Sequence, residues 1–198
     1  TIGPDDYRYD GKTDRQIVRE LMRLSGFSDD DIDARMDALL ADYLARLDLE
    51  LAEGPRGMKV HNGILALLDA LEARADVLLG LLTGNIAGGA ALKLRAAGIA
   101  PDRFRVGAFG SDHEYRSELP AIAQARASVL LGSGVVGRSV VIVGDTPADV
   151  QCGRGIGARA VAVATGHFTV ADLAEHEPHA VFEDFSDIDA ALDAICDA

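Results

Sequence analysis

Three short stretches of this 198-residue chain combine side chains capable of chemistry at useful spacings. Val143-Gly144-Asp145-Thr146-Pro147-Ala148-Asp149 ends an apolar run and sets two carboxylates four residues apart. Such acids suit Mg²⁺, a hard cation that takes one or two carboxylates and completes its shell with water and phosphate oxygens. The same stretch also reads as a helix start, with Thr146 as cap and Pro147 at the first helical position. Capping accounts for Asp149 as readily as metal binding does. It does not require Asp145, so that acid is the informative one.

Leu81-Leu82-Thr83-Gly84-Asn85 is the second stretch, a hydroxyl and a Gly-Asn turn behind another apolar run. Thr83 could give its hydroxyl to a phosphate or carboxylate, and the amides after Gly84 could add the donors of a helix N-terminus. An ordinary strand-to-helix turn would use these residues to satisfy its own backbone. The third, Gly110-Ser111-Asp112-His113-Glu114-Tyr115-Arg116-Ser117-Glu118, is polar and sets Arg116 just before a helix. Its planar guanidinium could meet an anion there, or lie on the surface like most arginines. His113 invites a general-base reading without a partner to support it. His61, His167, His176 and His179 stand in no constellation and are assigned no role.

These residues need a scaffold, and the patterning predicts one. Ile17, Val18, Leu21 and Leu24 recur at helical spacing and Gly26 ends the segment. Ser28 then caps a second helix through Ile32, Met36, Leu39, Leu40 and Tyr43, and Gly54-Pro55-Arg56-Gly57 breaks it. Beyond Gly57 strands alternate with helices. Strands are expected at Val77–Leu82, Phe104–Phe109, Val140–Val143, Ala160–Ala164 and Ala180–Phe182. Helices are expected at His61–Arg74, with Ile64, Leu65, Leu67, Leu68 and Leu71 inward, at Ala87–Ala97, at Leu119–Leu131, from Pro147, and at Ile188–Ile195. The strands are unbroken apolar runs, as expected where helices cover both faces of a sheet. An α/β fold with a doubly wound, mostly parallel sheet follows. Ligands in such folds bind beyond the carboxyl ends of strands, where Thr83 and Asp145 fall.

Composition narrows the partners. The net charge is −13, which argues against a nucleic-acid backbone as ligand. The acid is concentrated: residues 28–53 carry a net of −7 and residues 172–197 a net of −9, leaving +3 elsewhere. The stretches that could meet an anion all lie in that mildly basic remainder. Cys152 and Cys196 have neither zinc-site nor disulfide-framework spacing, so a reducing, cytoplasmic setting is expected. The opening TIGPDDYRYDGK does not read as a signal peptide, and no apolar run approaches the ~18 residues of a membrane span. No membrane partner is expected.

In this order and at these strand ends, the three stretches resemble the haloacid dehalogenase-like hydrolases, and more closely their phosphoglycolate phosphatase-like subgroup with a helical cap. Leu81-Leu82-Thr83-Gly84-Asn85 is similar to the family's second motif, Arg116 to its third, and Gly144-Asp145 with Asp149 to its fourth. Gly153, Gly155 and Gly157 before Ala160–Ala164 continue the pattern. The resemblance implies a cap over residues 1–56, incomplete at its N-terminus, and a Rossmann-like core over 57–198. It implies a Mg²⁺-dependent phosphatase working on a small phosphorylated metabolite through an aspartyl-phosphate. In that reading Thr83, Gly84, Asn85 and Arg116 bind the phosphate, Asp145 and Asp149 hold the metal, and Thr83, Arg116, Asp145 and Asp149 form the catalytic set.

One motif of the family is not matched. No apolar strand in the chain ends in Asp-x-Asp, the family's nucleophile and acid/base pair, and Asp10-Gly11-Lys12-Thr13 only echoes it. The resemblance puts the missing strand at the centre of the sheet, between those leading to Thr83 and to Asp145. Those two strands are therefore expected to stand unpaired. A phosphomutase or a metal-free dehalogenase of the same fold would use the same core, although two carboxylates at Asp145 and Asp149 suit a metal site better. Read without its nucleophile, the chain is a non-catalytic phosphatase-like fragment or binding module. Lys12 and Arg15 are the candidates for substrate contacts from the cap.

Overall fold

The computed structural model describes residues 7–54 and 59–196. The TIGPDD opening, the Pro55-Arg56-Gly57 part of the expected break and the cap–core boundary lie outside the described residues.

The chain opens with a helical hairpin, α1 (Asp14–Leu24) and α2 (Asp29–Ala52). Thr13 and Ser28 cap the two helices, their hydroxyls accepting from the amides of Gln16 and Asp31. Gly26 turns the chain between them at φ +87°, a conformation that favours glycine. Ile32, Met36 and Leu40, four residues apart along α2, are its buried stripe, with Val18 and Met22 of α1 packed against it. Leu24, expected inward, is half exposed. All nine acids of residues 28–53 are exposed, so their charge is that of a solvated face.

The α/β part follows as α3 (Ile64–Glu72), β1 (Gly80–Thr83), α4 (Ala87–Ala96), β2 (Val106–Phe109), α5 (Leu119–Leu131), β3 (Val141–Gly144), α6 (Pro147–Cys152), β4 (Arg159–Val163), α7 (Val170–Ala174), β5 (Ala180–Phe182) and α8 (Ile188–Cys196). Every strand pairing is parallel. β4 shows why its sequence is continuously apolar. Val161 and Val163 point to α3 and α8, packing with Leu67, Leu71, Phe185 and Ala191. Ala162, between them, points to the other face with Val150 of α6 and Leu173 of α7.

The ladder forms two sheets, β1-β2 and β3-β4-β5. β1 and β3 are not hydrogen-bonded to each other, and Val143 on β3 is 42% exposed, unusual for a valine in a strand. Strand edges without partners are the liability that folded sheets ordinarily cover.

Some boundaries depart from expectation for identifiable reasons. Val77 and Leu79 pack into the core, but the ladder starts only at Gly80, because Val106 sets its first pair. Leu65 is 46% exposed although expected inward; Ile64, Leu67 and Leu71 make the contact toward α8 instead. α7 was not expected at all.

The hairpin sits on the α/β part at the start of α4. Ile86, the residue before α4, is buried with the α2 stripe, and Gly88 lets α2 approach, since a Cβ there would meet the Leu44 side chain at 3.1 Å. No described helix is long and apolar enough to cross a membrane.

Candidate active site

The carboxyl ends of β1 and β3 open on one cavity of about 430 Å³. Thr83, Arg116, Asp145 and Asp149 line it, together with Thr146, the Gly166-His167-Phe168 turn after β4, and Asp10-Gly11 from the hairpin side. From Thr83 to Phe168, positions far apart in sequence are brought together by the parallel topology, since every strand delivers its following loop to the same edge.

Asp149 is 5% exposed and fully engaged. One oxygen accepts from the backbone N–H and hydroxyl of Thr146, at 3.1 and 2.8 Å, completing a capping box at the start of α6. The other accepts from a terminal nitrogen of Arg116. Gly144 permits this, for a Cβ there would meet the Asp149 Cβ at 2.3 Å. Arg116 is drawn inward rather than lying on the surface: its side chain is 16% exposed, and its Nε is buried without a hydrogen-bond partner.

Asp145 is the opposite case. Its carboxylate takes no hydrogen bond from another described side chain, and it lines the cavity. Burial pushes its pKa up, the charge of Asp149 adds to that, and Arg116 and His61 pull the other way. The two acids are thus differently placed. Asp149 holds Arg116 and the first turn of α6, and Asp145 is the open carboxylate. Among the described residues no group of three or more His, Cys, Asp or Glu forms a ready metal cluster.

The turn after β1 also differs from expectation. Thr83 lines the cavity, whereas Gly84 and Asn85 do not. The amides that could have met an anion are occupied. The N–H of Asn85 donates to the Thr83 hydroxyl oxygen at 3.2 Å, that of Ile86 to the Asp14 carboxylate at 2.8 Å, and that of Ala87 to the Ser111 hydroxyl at 3.3 Å. The Gly84 carbonyl accepts from the Asp14 N–H at 2.8 Å. Asp14, from α1, therefore sits at the N-terminus of α4 where a ligand anion was expected. Burial raises its pKa, against the pull of the Ile86 hydrogen bond and the Lys93 charge.

The remaining candidates lie elsewhere. His113 serves its own loop, accepting from the Tyr115 N–H at 3.1 Å. Lys12 pairs with Glu20 at 2.6 Å and Arg15 with Asp37 at 3.7 Å, neither at the cavity. Burial opposes the charge on Glu20, but hydrogen bonds from Lys12, Tyr7 and Gln16 win and hold its pKa at about 2. His167 and Phe168 line the cavity unforeseen; their place directly after a strand of the sheet was the available signal.

The sequence profile of the family described as HAD-hydrolase-like matches residues 118–188, a span that holds Asp145 and Asp149. A phosphoglycolate phosphatase of Rhodospirillum rubrum is 34% identical over 165 residues, 82% of this chain and 64% of that protein. The chain therefore spans just under two thirds of that relative's length. Among solved structures, a hydrolase from Pseudomonas syringae superposes with a TM-score of 0.67 at 19% identity, over 95% of this chain and 81% of that one. A family IA haloacid dehalogenase hydrolase from Entamoeba histolytica gives 0.64 at 17% identity, over 98% and 83%. With the motifs at the cavity, these matches make the chain similar to the haloacid dehalogenase-like hydrolases, and to phosphoglycolate phosphatases among them.

Proposed function

We propose that the chain is the cap (1–56) and core (57–198) of a Mg²⁺-dependent phosphatase that acts on a small phosphorylated metabolite. The reading rests on one observation: a hydroxyl, a buried guanidinium and an open carboxylate, from Thr83, Arg116 and Asp145, converge on one cavity. Phosphoryl transfer asks mainly for positioning and charge neutralisation, which is what these groups offer. Thr83 holds a phosphoryl oxygen. Arg116, braced by Asp149, offsets the charge that gathers on the transferring group.

The residues fit a hard divalent cation as a partial shell. Asp145 would hold it, with its remaining positions left to water and phosphate. When bound, Mg²⁺ supplies charge neutralisation at the phosphoryl oxygens. Asp149 acts on that site indirectly, by fixing the turn that carries Asp145. The nucleophilic aspartate would stand on an extended strand between β1 and β3, whose edges are unpaired. A cytoplasmic setting, with neither nucleic acid nor membrane as partner, belongs to the same proposal.

A second reading has its own observation. Among the described residues no strand ends in Asp-x-Asp, as a non-catalytic phosphate-binding module would have it. The full encoded protein, assayed with Mg²⁺ against a panel of small phosphomonoesters, separates the two. Phosphate release that stops when Mg²⁺ is chelated is the expected result. Metal-free turnover of haloacids would make the protein a dehalogenase, and isomerised phosphoesters without phosphate release would make it a mutase. Phosphate binding with no turnover would leave the binding module.

A further inference from the structure

Lys93 lies two turns down α4 from the Thr83-Gly84-Asn85 turn and reaches back to it. Its ammonium donates to the Asn85 side-chain oxygen at 2.5 Å. The Asn85 side-chain nitrogen in turn donates to the Thr83 hydroxyl oxygen at 2.9 Å, beside the 3.2 Å bond from the Asn85 backbone N–H. The direction of this chain follows from donor and acceptor chemistry. An ammonium has three donors and no acceptor, so the atom facing Lys93 must be the amide oxygen. The amide nitrogen is then turned to Thr83. A hydroxyl has two lone pairs and one hydrogen, and both lone pairs of Thr83 are now filled. What Thr83 has left to present to the cavity is its hydrogen.

We infer that Lys93 is a positioning residue which, through Asn85, fixes Thr83 as a hydrogen-bond donor toward an anion in the cavity. Without Lys93 the Asn85 amide can turn over, and Thr83 can give its hydrogen to the Asn85 oxygen and show the cavity a lone pair. A lone pair repels a phosphoryl oxygen where the hydrogen would bind it. The amides of Asn85, Ile86 and Ala87 are occupied by Thr83 itself, Asp14 and Ser111, which makes the Thr83 hydroxyl a donor this turn can still offer a ligand. Lys93 touches no ligand in this arrangement; it acts by setting the polarity of a group that does. The inference rests on the phosphate reading above and adds to it a residue outside the motifs.

Two measurements on the full encoded protein test it. The first is the ¹⁵N–¹H spectrum of the Asn85 side-chain amide, which needs no ligand. Lys93→Met is expected to shift that pair toward the values of a free asparagine, and Lys93→Arg to restore most of the shift. The second is calorimetric titration with inorganic phosphate. Thr83→Val is expected to weaken binding roughly tenfold, the scale of one hydrogen bond to a charged group. Lys93→Met should weaken it about fivefold, while Arg95→Met, which removes the same charge from the same helix, should weaken it less than twofold. Lys93→Met added to Thr83→Val should bring no further loss, because Lys93 acts through Thr83.

Failures fall on different claims. An unchanged Asn85 amide in Lys93→Met, or losses that multiply in the double variant, would overturn the inference while phosphate still binds. An unmodified chain that shows the Asn85 response but binds no phosphate would overturn the phosphate reading, and with it the role given to Thr83.

Discussion

Replacing Asp149 with alanine is expected to remove about 3–5 kcal/mol of folding stability, the usual result of leaving one member of a buried ion pair without its partner. The reasoning starts from the surroundings. Asp149 is 5% exposed and accepts three hydrogen bonds, one from Arg116 and two from Thr146. Alanine leaves a guanidinium that is largely buried, with its Nε already unpartnered and its hydrogen-bonded counter-charge gone. It also opens the capping box of a six-residue helix, too short to stand on propensity. Asp149→Asn should lose less, since it keeps an acceptor for Thr146. Combining Asp149→Leu with Arg116→Met should recover part of the loss, because neither charge then remains buried alone. Urea unfolding at pH 7 measures all three. A loss below about 1 kcal/mol for the alanine variant would mean that the pair is open to water.

Asp145→Asn is expected to move stability and activity in opposite directions. Burial and the Asp149 charge raise the pKa of Asp145 in the folded protein above its ordinary 3.8. A raised carboxylate binds its proton more tightly folded than unfolded, so its contribution to stability is present at low pH and lost as pH rises through the folded value. At pH 7 the charged form is therefore a burden on the fold. Asparagine lifts that burden, for a gain of up to about 1 kcal/mol, the size seen when functional strain is relieved. The gain should fade as pH falls and the native acid takes up its own proton. In the full encoded protein the same substitution should lower Mg²⁺-dependent phosphate release by about 10²–10³-fold, the scale of losing one electrostatic contact to the transition state. Thermal unfolding between pH 4 and 8 and a phosphate-release assay read the two effects. A variant that is less stable at pH 7 and equally active would return Asp145 to an ordinary structural role.

What the sequence made legible depended on whether neighbours along the chain held the reason. Asp145 could be singled out because the local helix start explained Thr146, Pro147 and Asp149 without it. β4 could be read because Val161, Ala162 and Val163 are all apolar, a pattern that only two covered faces explain. That Asp149 also braces Arg116 could not be read, because the two lie 33 residues apart. Nor could the fate of the turn after Thr83 be read. Asp14 reaches the Ile86 amide across 72 positions, and Lys93 reaches Asn85 from two turns along a helix whose own pattern gives no sign of it. α7 has five residues, too few for periodicity to register, although Thr169 and Asp172 form a capping box that marks its start.

The slot between the sheets is where the account is most exposed. A structure of the full encoded protein with Mg²⁺ and phosphate is the direct measurement. One continuous parallel sheet is expected, with an added strand hydrogen-bonded to both β1 and β3 and delivering two aspartates of an Asp-x-Asp to the cavity shared by Thr83, Arg116 and Asp145. β1 and β3 paired directly, at the ~4.8 Å spacing of neighbouring strands, would leave no place for a nucleophile and contradict it.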